Sequence, residues 1–298
     1  MSNSVINRRI PVFRIFSHLT LFGFSLICIL PLILVVSVSL TSDESIITHG
    51  YSLIPETIDF TAYKFVFANP GQLLTSYGVT IFVCIVGTIL SIIITTMLAY
   101  VMSRKDYPYA KKTSLYVFLT MLVSGGLVPW YIIISRVLHM SDTIWVLIVP
   151  YLVMPMFVLI MKGYMSDIAP AIIESGKLDG ASEYRIFFSI VVPITLPGIV
   201  TVSLFILLMY WNDYYLSLMF IQNSDYVSLQ FLLWRIMSNA DYLRNSVAAS
   251  MGLLQGVTMP DQSARMAICV LAAGPMMFIF PFANKYFIRG ITVGSVKG

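Results

Sequence analysis

Charged residues are scarce in this chain of 298 residues. Asp, Glu, Lys and Arg make up 11% of it, whereas soluble domains carry about 25%. Hydrophobic residues make up 58%, and the mean hydropathy is +0.87. This composition excludes an ordinary soluble enzyme and indicates an integral membrane protein. The all-α class follows, because lone strands would leave backbone groups without hydrogen-bond partners in lipid.

Cysteine and histidine are also rare, with three of each. The cysteines (Cys28, Cys84, Cys269) fall in apolar runs, where free cysteine is usually a small packing residue. The histidines show no ligand spacing, so no metal site is predicted. The net charge of +4 comes from Lys and Arg spread over loops, which is no signal for nucleic acid.

A phosphate-binding loop is missing as well. Gly176-Lys177 is the nearest approach, but Leu178 follows where such a loop needs Ser or Thr. Glu174 and Asp179 do not form a predicted acid–base pair, since nothing encloses them. We therefore predict that the chain is not an enzyme and has no catalytic residues. If ATP powers its activity, the ATPase is another polypeptide.

Six apolar runs of about 19–28 residues are present, each long enough to cross about 30 Å of hydrocarbon. They predict one transmembrane domain over residues 1–298. The predicted spans are about 16–40, 76–102, 113–138, 143–161, 194–221 and 266–287. Residues 41–75 and 222–265 form the predicted external loops, and residues 164–193 form a cytoplasmic loop.

The distribution of Lys and Arg predicts the orientation. Thirteen of these 18 residues lie at the N-terminus, in the loop between the second and third spans, in the 164–193 loop and at the C-terminus, with the adjoining span ends. The opposite side holds the other five. By the positive-inside rule, both termini and the 164–193 loop are predicted to be cytoplasmic.

The 164–193 loop, called the hinge below, reads as two short helices at a sharp bend. Pro170 suits a first helical turn, Gly180 can adopt the left-handed conformation that ends a helix, and Ser182 can cap the next one. Helical spacing then predicts one apolar stripe from Ala181, Tyr184, Phe188 and Val191. An apolar knob on a cytoplasmic surface requires a protein partner.

The hinge resembles the EAA loop of membrane permease subunits of ABC importers, in particular the carbohydrate type. Glu174 is followed after six positions by Gly180, after ten more by Ile190, and then by Pro193. Ser175 and Gly176 replace the two alanines that give the motif its name. The resemblance implies that the hinge docks on an ATP-binding subunit. The implied docking residues are Glu174, Ser175, Gly176, Asp179, Gly180, Ala181, Tyr184, Phe187 and Phe188.

The resemblance also implies the MetI-like permease fold and its assembly. Such a subunit forms half of a translocation path in the bacterial cytoplasmic (inner) membrane, beside a second and homologous permease subunit. Two ATP-binding subunits carry ATP and Mg²⁺, so no cofactor is expected in this chain. An extracytoplasmic solute-binding protein delivers the substrate. The implied substrate is a sugar, an oligosaccharide, and the external residues Arg235, Arg244 and Arg265 allow an acidic one such as a uronic-acid oligomer.

Two places within the spans are candidates for the translocation path. The stretch Tyr210-Trp211-Asn212-Asp213-Tyr214 is similar to a Trp-Asn-acidic element of carbohydrate permeases. Aromatic faces stack on sugar rings, while amides and carboxylates bond hydroxyls. The alternative is an aromatic belt at the outer interface, with Asp213 pairing a neighbouring helix. Gly126 and Pro129 predict a broken third span lining a cavity, or else close helix packing through small residues.

Two other classes of function stay open. An ion-gradient-driven secondary transporter would need several acidic residues within its spans, and Asp213 is the one candidate. A membrane assembly subunit that transports nothing itself would need no path at all.

Overall fold

The computed structural model describes residues 10–245 and 262–294, with side chains over 14–242 and 262–279. Within these ranges every named element is helical, and the single β-bridge joins Thr41 to Ile58. The helices are α1 (Ile10–Ser39), α2 (Asp43–His49), α3 (Thr61–Val66), α4 (Pro70–Ser103), α5 (Ala110–Leu122), α6 (Leu127–Ile132), α7 (Pro155–Ser166), α8 (Pro170–Leu178), α9 (Glu183–Ile186), α10 (Val192–Asn212), α11 (Tyr215–Phe220), α12 (Leu229–Asn245) and α13 (Gln262–Gly294). The predicted all-α class is confirmed.

Four described stretches are long and apolar enough to cross a membrane: Arg14–Ser39, Pro70–Ser103, Glu183–Asn212 and Gln262–Ile279. They correspond to the predicted first, second, fifth and sixth spans, although the helical bounds differ. The fifth begins at Glu183, because α9 runs through a π-helical turn (Phe187–Val191) into α10 without a break. It ends at Asn212, and α11 follows as a separate short helix.

The third and fourth predicted spans are bent, which brings the number of candidate spans to six. The first bent pair turns by 110° between Leu122 and Leu127. Gly126 allows the turn because its φ is 85°, a conformation that other residues rarely adopt. The second bent pair joins 3₁₀-helical turns within Ile144–Tyr151 to α7 and turns by 49°.

The chain divides into two compact units, of which one combines residues up to 69 with 236–273. Its two short helices, α2 and α3, lie in the predicted external loop 41–75. Ser42 accepts the N–H of Ser45 at the start of α2, and Asp59 accepts the N–H of Thr61 at the start of α3. A small core forms where Ala62 of α3 packs with Ala264 and Ala267 of α13.

The other unit combines 70–235 with residues from 274 onward, and within it α4 packs against both α7 and α10. Glycine permits two close approaches. A Cβ on Gly87 of α4 would lie 2.7 Å from the ring of Tyr210, and a Cβ on Gly198 of α10 would lie 2.7 Å from the ring of Tyr164. This bundle holds the hinge between α7 and α10.

The predicted external loop 222–265 contains α12, which includes the amphipathic stretch expected near Leu229. Leu229, Phe231, Leu232 and Leu233 are buried, and the N–H of Leu229 donates to Thr80 Oγ1 of α4 at 2.8 Å. Residues 246–261 and 295–298 lie outside the described residues.

Candidate functional site

The hinge contains the two predicted short helices. Helix α8 begins at Pro170 in its first turn and ends at Leu178, and Gly180 follows with φ of 75°. The hydroxyl of Ser182 accepts the N–H of Arg185 and caps α9. All three features agree with the predictions from the sequence, because each depends on the chemistry of one residue and its nearest neighbours.

The hinge exposes three large apolar side chains, together called the knob. The knob consists of Leu178, Tyr184 and Phe188, which are 89%, 72% and 59% exposed. Ile172 is 40% exposed, and the polar residues Glu174, Ser175 and Asp179 are exposed as well. Within the described residues Glu174 forms no ion pair, so its carboxylate is available to another protein.

The apolar stripe is partly wrong as predicted. Tyr184 and Phe188 are exposed, but Val191 is fully buried, and Ala181 is half-buried. The π-helical turn over Phe187–Val191 inserts an additional residue, which rotates Val191 away from the stripe that regular α-helical spacing predicts. Phe187 is also buried, with its ring centroid 5.2 Å from that of Tyr100. Phe187 packs against Phe188 of the knob, with ring centroids 4.9 Å apart, and its own side chain is not part of the exposed surface.

Gly176 lies where α8 packs on the helix that follows. A Cβ at this position would come within 3.1 Å of Ile190 Cδ1 and 3.4 Å of Ile186 Cγ1. The N–H of Ala181 donates to the carbonyl of Gly176 at 3.0 Å, which closes the bend. The two helices therefore form one compact, packed body.

A network of charges joins the hinge to the end of α4. The guanidinium of Arg104 binds both carboxylate oxygens of Asp106, at 2.8 and 2.6 Å. Lys177 Nζ of α8 lies 2.7 Å from Asp106 Oδ2 and 3.1 Å from Glu183 Oε1. The hydroxyl of Tyr100 donates to Glu183 Oε2 at 2.7 Å. Five polar side chains from two separate stretches of sequence thus form one connected set.

The network shifts the pKa values of its members. Hydrogen bonds from Arg104 and then Lys177 lower the pKa of the Asp106 carboxyl well below its ordinary value. The bond to Asp106 raises the pKa of Arg104, and the same partner raises the pKa of Lys177. All three groups are therefore charged near neutral pH.

The aromatic element at the end of α10 is buried at Tyr210 and Trp211 but not at the three residues that follow. The hydroxyl of Tyr210 donates to the carbonyl of Ile148 at 2.9 Å and lies 3.1 Å from Ser91 Oγ. Ile148 follows a 3₁₀ turn, so this bond provides a partner for a carbonyl at a break in helical structure. Trp211 is buried, while Asn212 and Tyr214 are exposed. The Asn212 amide donates to the carbonyl of Leu208 at 2.8 Å.

Asp213 pairs with a neighbouring segment, as the alternative interpretation expected. Its Oδ1 accepts the hydroxyl of Tyr151 at 3.0 Å, and its Oδ2 accepts the N–H of Leu216 at 3.1 Å. The carboxylate thereby holds the start of α11 and fixes the break that follows α10.

Gly126 and Pro129 lie at the bend between α5 and α6, and both are exposed. Among the described residues, no neighbouring heavy atom lies within 4 Å of a Cβ placed on Gly125 or Gly126. The described part of this chain therefore supplies no helix for close packing at these glycines. The broken-helix prediction agrees with the 110° bend.

Comparison with known proteins connects the bent helical bundle and its hinge to one family. Residues 109–293 match the family described as "Binding-protein-dependent transport system inner membrane component". The chain belongs to this family. The match includes the hinge, α10 and the broken third span, and it confirms a multi-pass protein of the inner membrane with the MetI-like permease fold.

Relatives of this permease chain match it along nearly its whole length. In Bacillus subtilis (strain 168), the "Polygalacturonan/rhamnogalacturonan transport system permease protein YtcP" is 34% identical, covering 92% of this chain and 94% of that protein. "Protein LplC" of the same organism is 32% identical, with 96% and 95% covered. A solved bacterial ABC transporter "involved in the import of the acidic polysaccharide alginate" has a chain of the same fold. That chain is 24% identical, with a TM-score of 0.76 over 96% of this permease.

The charge network is the part of the permease site that sequence reasoning missed. The sequence places Arg104 in the basic loop between the second and third predicted spans and Lys177 in the hinge, and it indicates a partner for neither. One signal was present: Asp106 is the single acidic residue in the basic stretch 103–112. An isolated carboxylate in such a stretch indicates a local charge partner, although it does not identify Lys177 or Glu183.

The arginines of the predicted external loop 222–265 are described in part. Arg265 forms an ion pair with Asp241 at 2.5 Å. The guanidinium of Arg235 lies 5.7 Å from the ring centroid of Phe231, within cation–π range. The side chain of Arg244 lies outside the described residues.

Proposed function

We propose that this chain is the permease subunit of an ATP-driven ABC importer and couples to the ATPase through the hinge. The observation that carries the coupling role is the exposure of the three large apolar side chains of the knob, Leu178, Tyr184 and Phe188. Exposed aromatic side chains such as Tyr184 are typical anchors of protein interfaces. A cytoplasmic hinge, as the positive-inside rule predicts, would present the knob to a subunit that binds ATP.

The proposed assembly contains a second, homologous permease subunit, two ATP-binding subunits and an extracytoplasmic solute-binding protein. ATP and Mg²⁺ bind the ATP-binding subunits, and this chain forms half of the translocation path. ATP binding closes the nucleotide-binding dimer, the hinge moves with it as a rigid body, and the spans open outward. Hydrolysis then resets the spans.

The proposed substrate is an acidic oligosaccharide, such as a uronic-acid oligomer. Support comes from the 34% identical relative, whose name specifies polygalacturonan and rhamnogalacturonan. Polygalacturonan is a polymer of a uronic acid, so its fragments carry carboxylates. Arg235 is half-buried on the external side predicted from the charge distribution, where a cation can attract such a substrate.

Transport by the complete importer in proteoliposomes tests the proposal. We expect ATP-dependent, vanadate-sensitive uptake of labelled oligogalacturonide, and much weaker uptake of a neutral oligosaccharide of equal length. Uptake that instead collapses with an ionophore would favour an ion-driven transporter. Uptake that persists after removal of this subunit would favour an assembly role.

A pull-down of the ATP-binding subunit tests the knob separately. The double variant Tyr184→Ala and Phe188→Ala should retain less of that subunit than wild type. Tyr116→Ala is the matched control, because Tyr116 is an equally exposed aromatic residue on α5, outside the hinge. Equal retention by all three proteins would overturn the docking role of the knob.

A further inference from the structure

We propose that Asp106 and Lys177 are positioning residues that fasten the hinge to the end of α4, so that movement of the hinge is passed to α4. This inference rests on the proposed function, since it concerns the route from the ATPase to the spans. The hinge is covalently continuous with α7 and α10 but not with α4. Helix α4 packs against both, yet it needs a non-covalent connection in order to follow the hinge directly.

The network supplies that connection. Tyr100, Arg104 and Asp106 come from α4 and the turn after it, whereas Lys177 and Glu183 come from the hinge. Asp106 Oδ2 is shared, lying 2.6 Å from Arg104 Nη2 and 2.7 Å from Lys177 Nζ. Arg104 Nη2 is also 3.4 Å from Glu183 Oε1. Each side of the junction therefore contributes a cation and a carboxylate.

One cation of the network, Arg104, is largely buried, whereas the side chains of Lys177 and Asp106 are 42% and 54% exposed. Exposed pairs contribute little and are screened by salt. The side chain of Arg104, however, is 9% exposed, so loss of a carboxylate would leave a largely buried guanidinium without compensation. Arg104 thus holds Asp106 and Glu183 in place, and Lys177 connects to both of them.

The composition of the network argues for a fastening role and against a ligand site. Two cationic side chains, Arg104 and Lys177, face two carboxylates, Asp106 and Glu183, so the local charge is balanced. A balanced set has no remaining charge to attract an anion or a metal ion. Its contacts instead run between two segments that are more than 70 residues apart in sequence.

Four variants of the complete importer test the connection through its coupling ratio, the ATP hydrolysed per sugar imported. Lys177→Met and Asp106→Asn should raise this ratio roughly two- to fivefold, the range in which exposed pairs contribute. Lys177→Arg should restore it. Lys105→Met is the matched control, because Lys105 is an exposed lysine beside Arg104 with no ion pair among the described residues. The control should leave the ratio unchanged.

The double variant separates a shared connection from independent effects. If Lys177 acts through Asp106, the ratio for Lys177→Met with Asp106→Asn should equal that of Asp106→Asn alone. Effects that multiply would overturn the proposal, and so would an unchanged ratio in both single variants or an equal rise with Lys105→Met.

A distance measurement on the permease pair alone makes the test independent of the ATPase. Nitroxide labels at Ala171 on α8 and Tyr109 after α4, in a cysteine-free background, report the separation of the hinge and the α4 end. We expect a narrow distribution in wild type and Lys105→Met, and a broader one in Asp106→Asn. An unchanged distribution in Asp106→Asn would overturn the fastening role. Absence of ATP-driven uptake by wild type would instead overturn the proposed function.

Discussion

The hydroxyl of Tyr151 donates a 3.0 Å hydrogen bond to one carboxylate oxygen of Asp213, whose other oxygen accepts the N–H of Leu216. Both oxygens of this acidic residue are thus engaged in holding the protein together where α10 ends. Its neighbours Asn212 and Tyr214 are exposed, whereas Asp213 is half-buried. The structural role of Asp213 and a path role for its neighbours are therefore separable by mutation.

Asp213→Ala should destabilise the permease without a specific effect on sugar affinity. Loss of the carboxylate leaves the Tyr151 hydroxyl and the Leu216 N–H without their partner, at a cost of about 1–3 kcal/mol. Thermal unfolding in detergent measures this loss. Tyr214→Ala should instead raise the KM for uptake, with a loss of stability of about 0.5–1.5 kcal/mol from its stacking on Trp234. A raised KM with wild-type stability in Asp213→Ala would assign Asp213 to the path.

Gly87→Ala should destabilise the packing of α4 on α10. The added Cβ would lie 2.7 Å from the Tyr210 ring, which cannot swing aside because its hydroxyl is bonded to Ile148 and lies close to Ser91. Overpacking of this kind costs about 1–3 kcal/mol. Gly78→Ala in the same helix faces open space and should stabilise by up to about 1 kcal/mol. Thermal unfolding of both variants checks the difference, and equal shifts would contradict it.

Features that depend on one residue and its nearest neighbours could be predicted from the sequence. Pro170, Gly180 and Ser182 shape the hinge through their own backbone chemistry, and the structure places each as expected. The bend at Gly126 was likewise predictable, because a glycine pair followed by a proline weakens any helix. The six apolar runs predict a helical membrane protein, and the spacing of the motif in the hinge indicates the permease family.

The misses arose from contacts between distant segments and from one change of helical period. Lys177 reaches Asp106, and Tyr210 reaches Ser91, only after folding brings separate helices together. No spacing rule predicts such pairs from one sequence. A regular α-helical period predicts Val191 on the exposed stripe, whereas the π-helical turn rotates it into the interior.

Gly180→Val should uncouple ATP hydrolysis from uptake. Gly180 has a φ of 75°, and a β-branched residue held there costs about 1–3 kcal/mol, so the bend would relax and displace the knob. ATPase activity should persist while uptake falls, and the subunit should still insert in the membrane. Gly163→Val on α7 is the control, since Gly163 lies in a helix and faces open space. Wild-type coupling in Gly180→Val would count against docking through the hinge.

Gly176→Ala should be tolerated, whereas Gly176→Leu should not. The alanine Cβ would meet the flexible tip of Ile190 at 3.1 Å, which can shift by a few tenths of an ångström. A gain of about 1 kcal/mol in helix propensity offsets that adjustment. A leucine would need space that Ile186 and Ile190 occupy, so α8 would separate from its support. The ATP-to-sugar ratio should stay at wild type in the first variant and rise in the second; the reverse order would refute this packing.

The contribution of Asp106 to stability should depend on pH only under strongly acidic conditions. Because Arg104 and Lys177 lower its pKa below the ordinary 3.8, the stabilisation is fully present above 3.8 and is lost as pH falls through the lowered value. The difference in melting temperature between wild type and Asp106→Asn should therefore be constant from neutral pH to about pH 5 and shrink below 3.8. Thermal unfolding in detergent across this range measures the difference. A difference that already shrinks between neutral pH and about pH 5 would mean that the carboxylate is not held by the two cations, and the fastening of the hinge to α4 would lose its electrostatic basis.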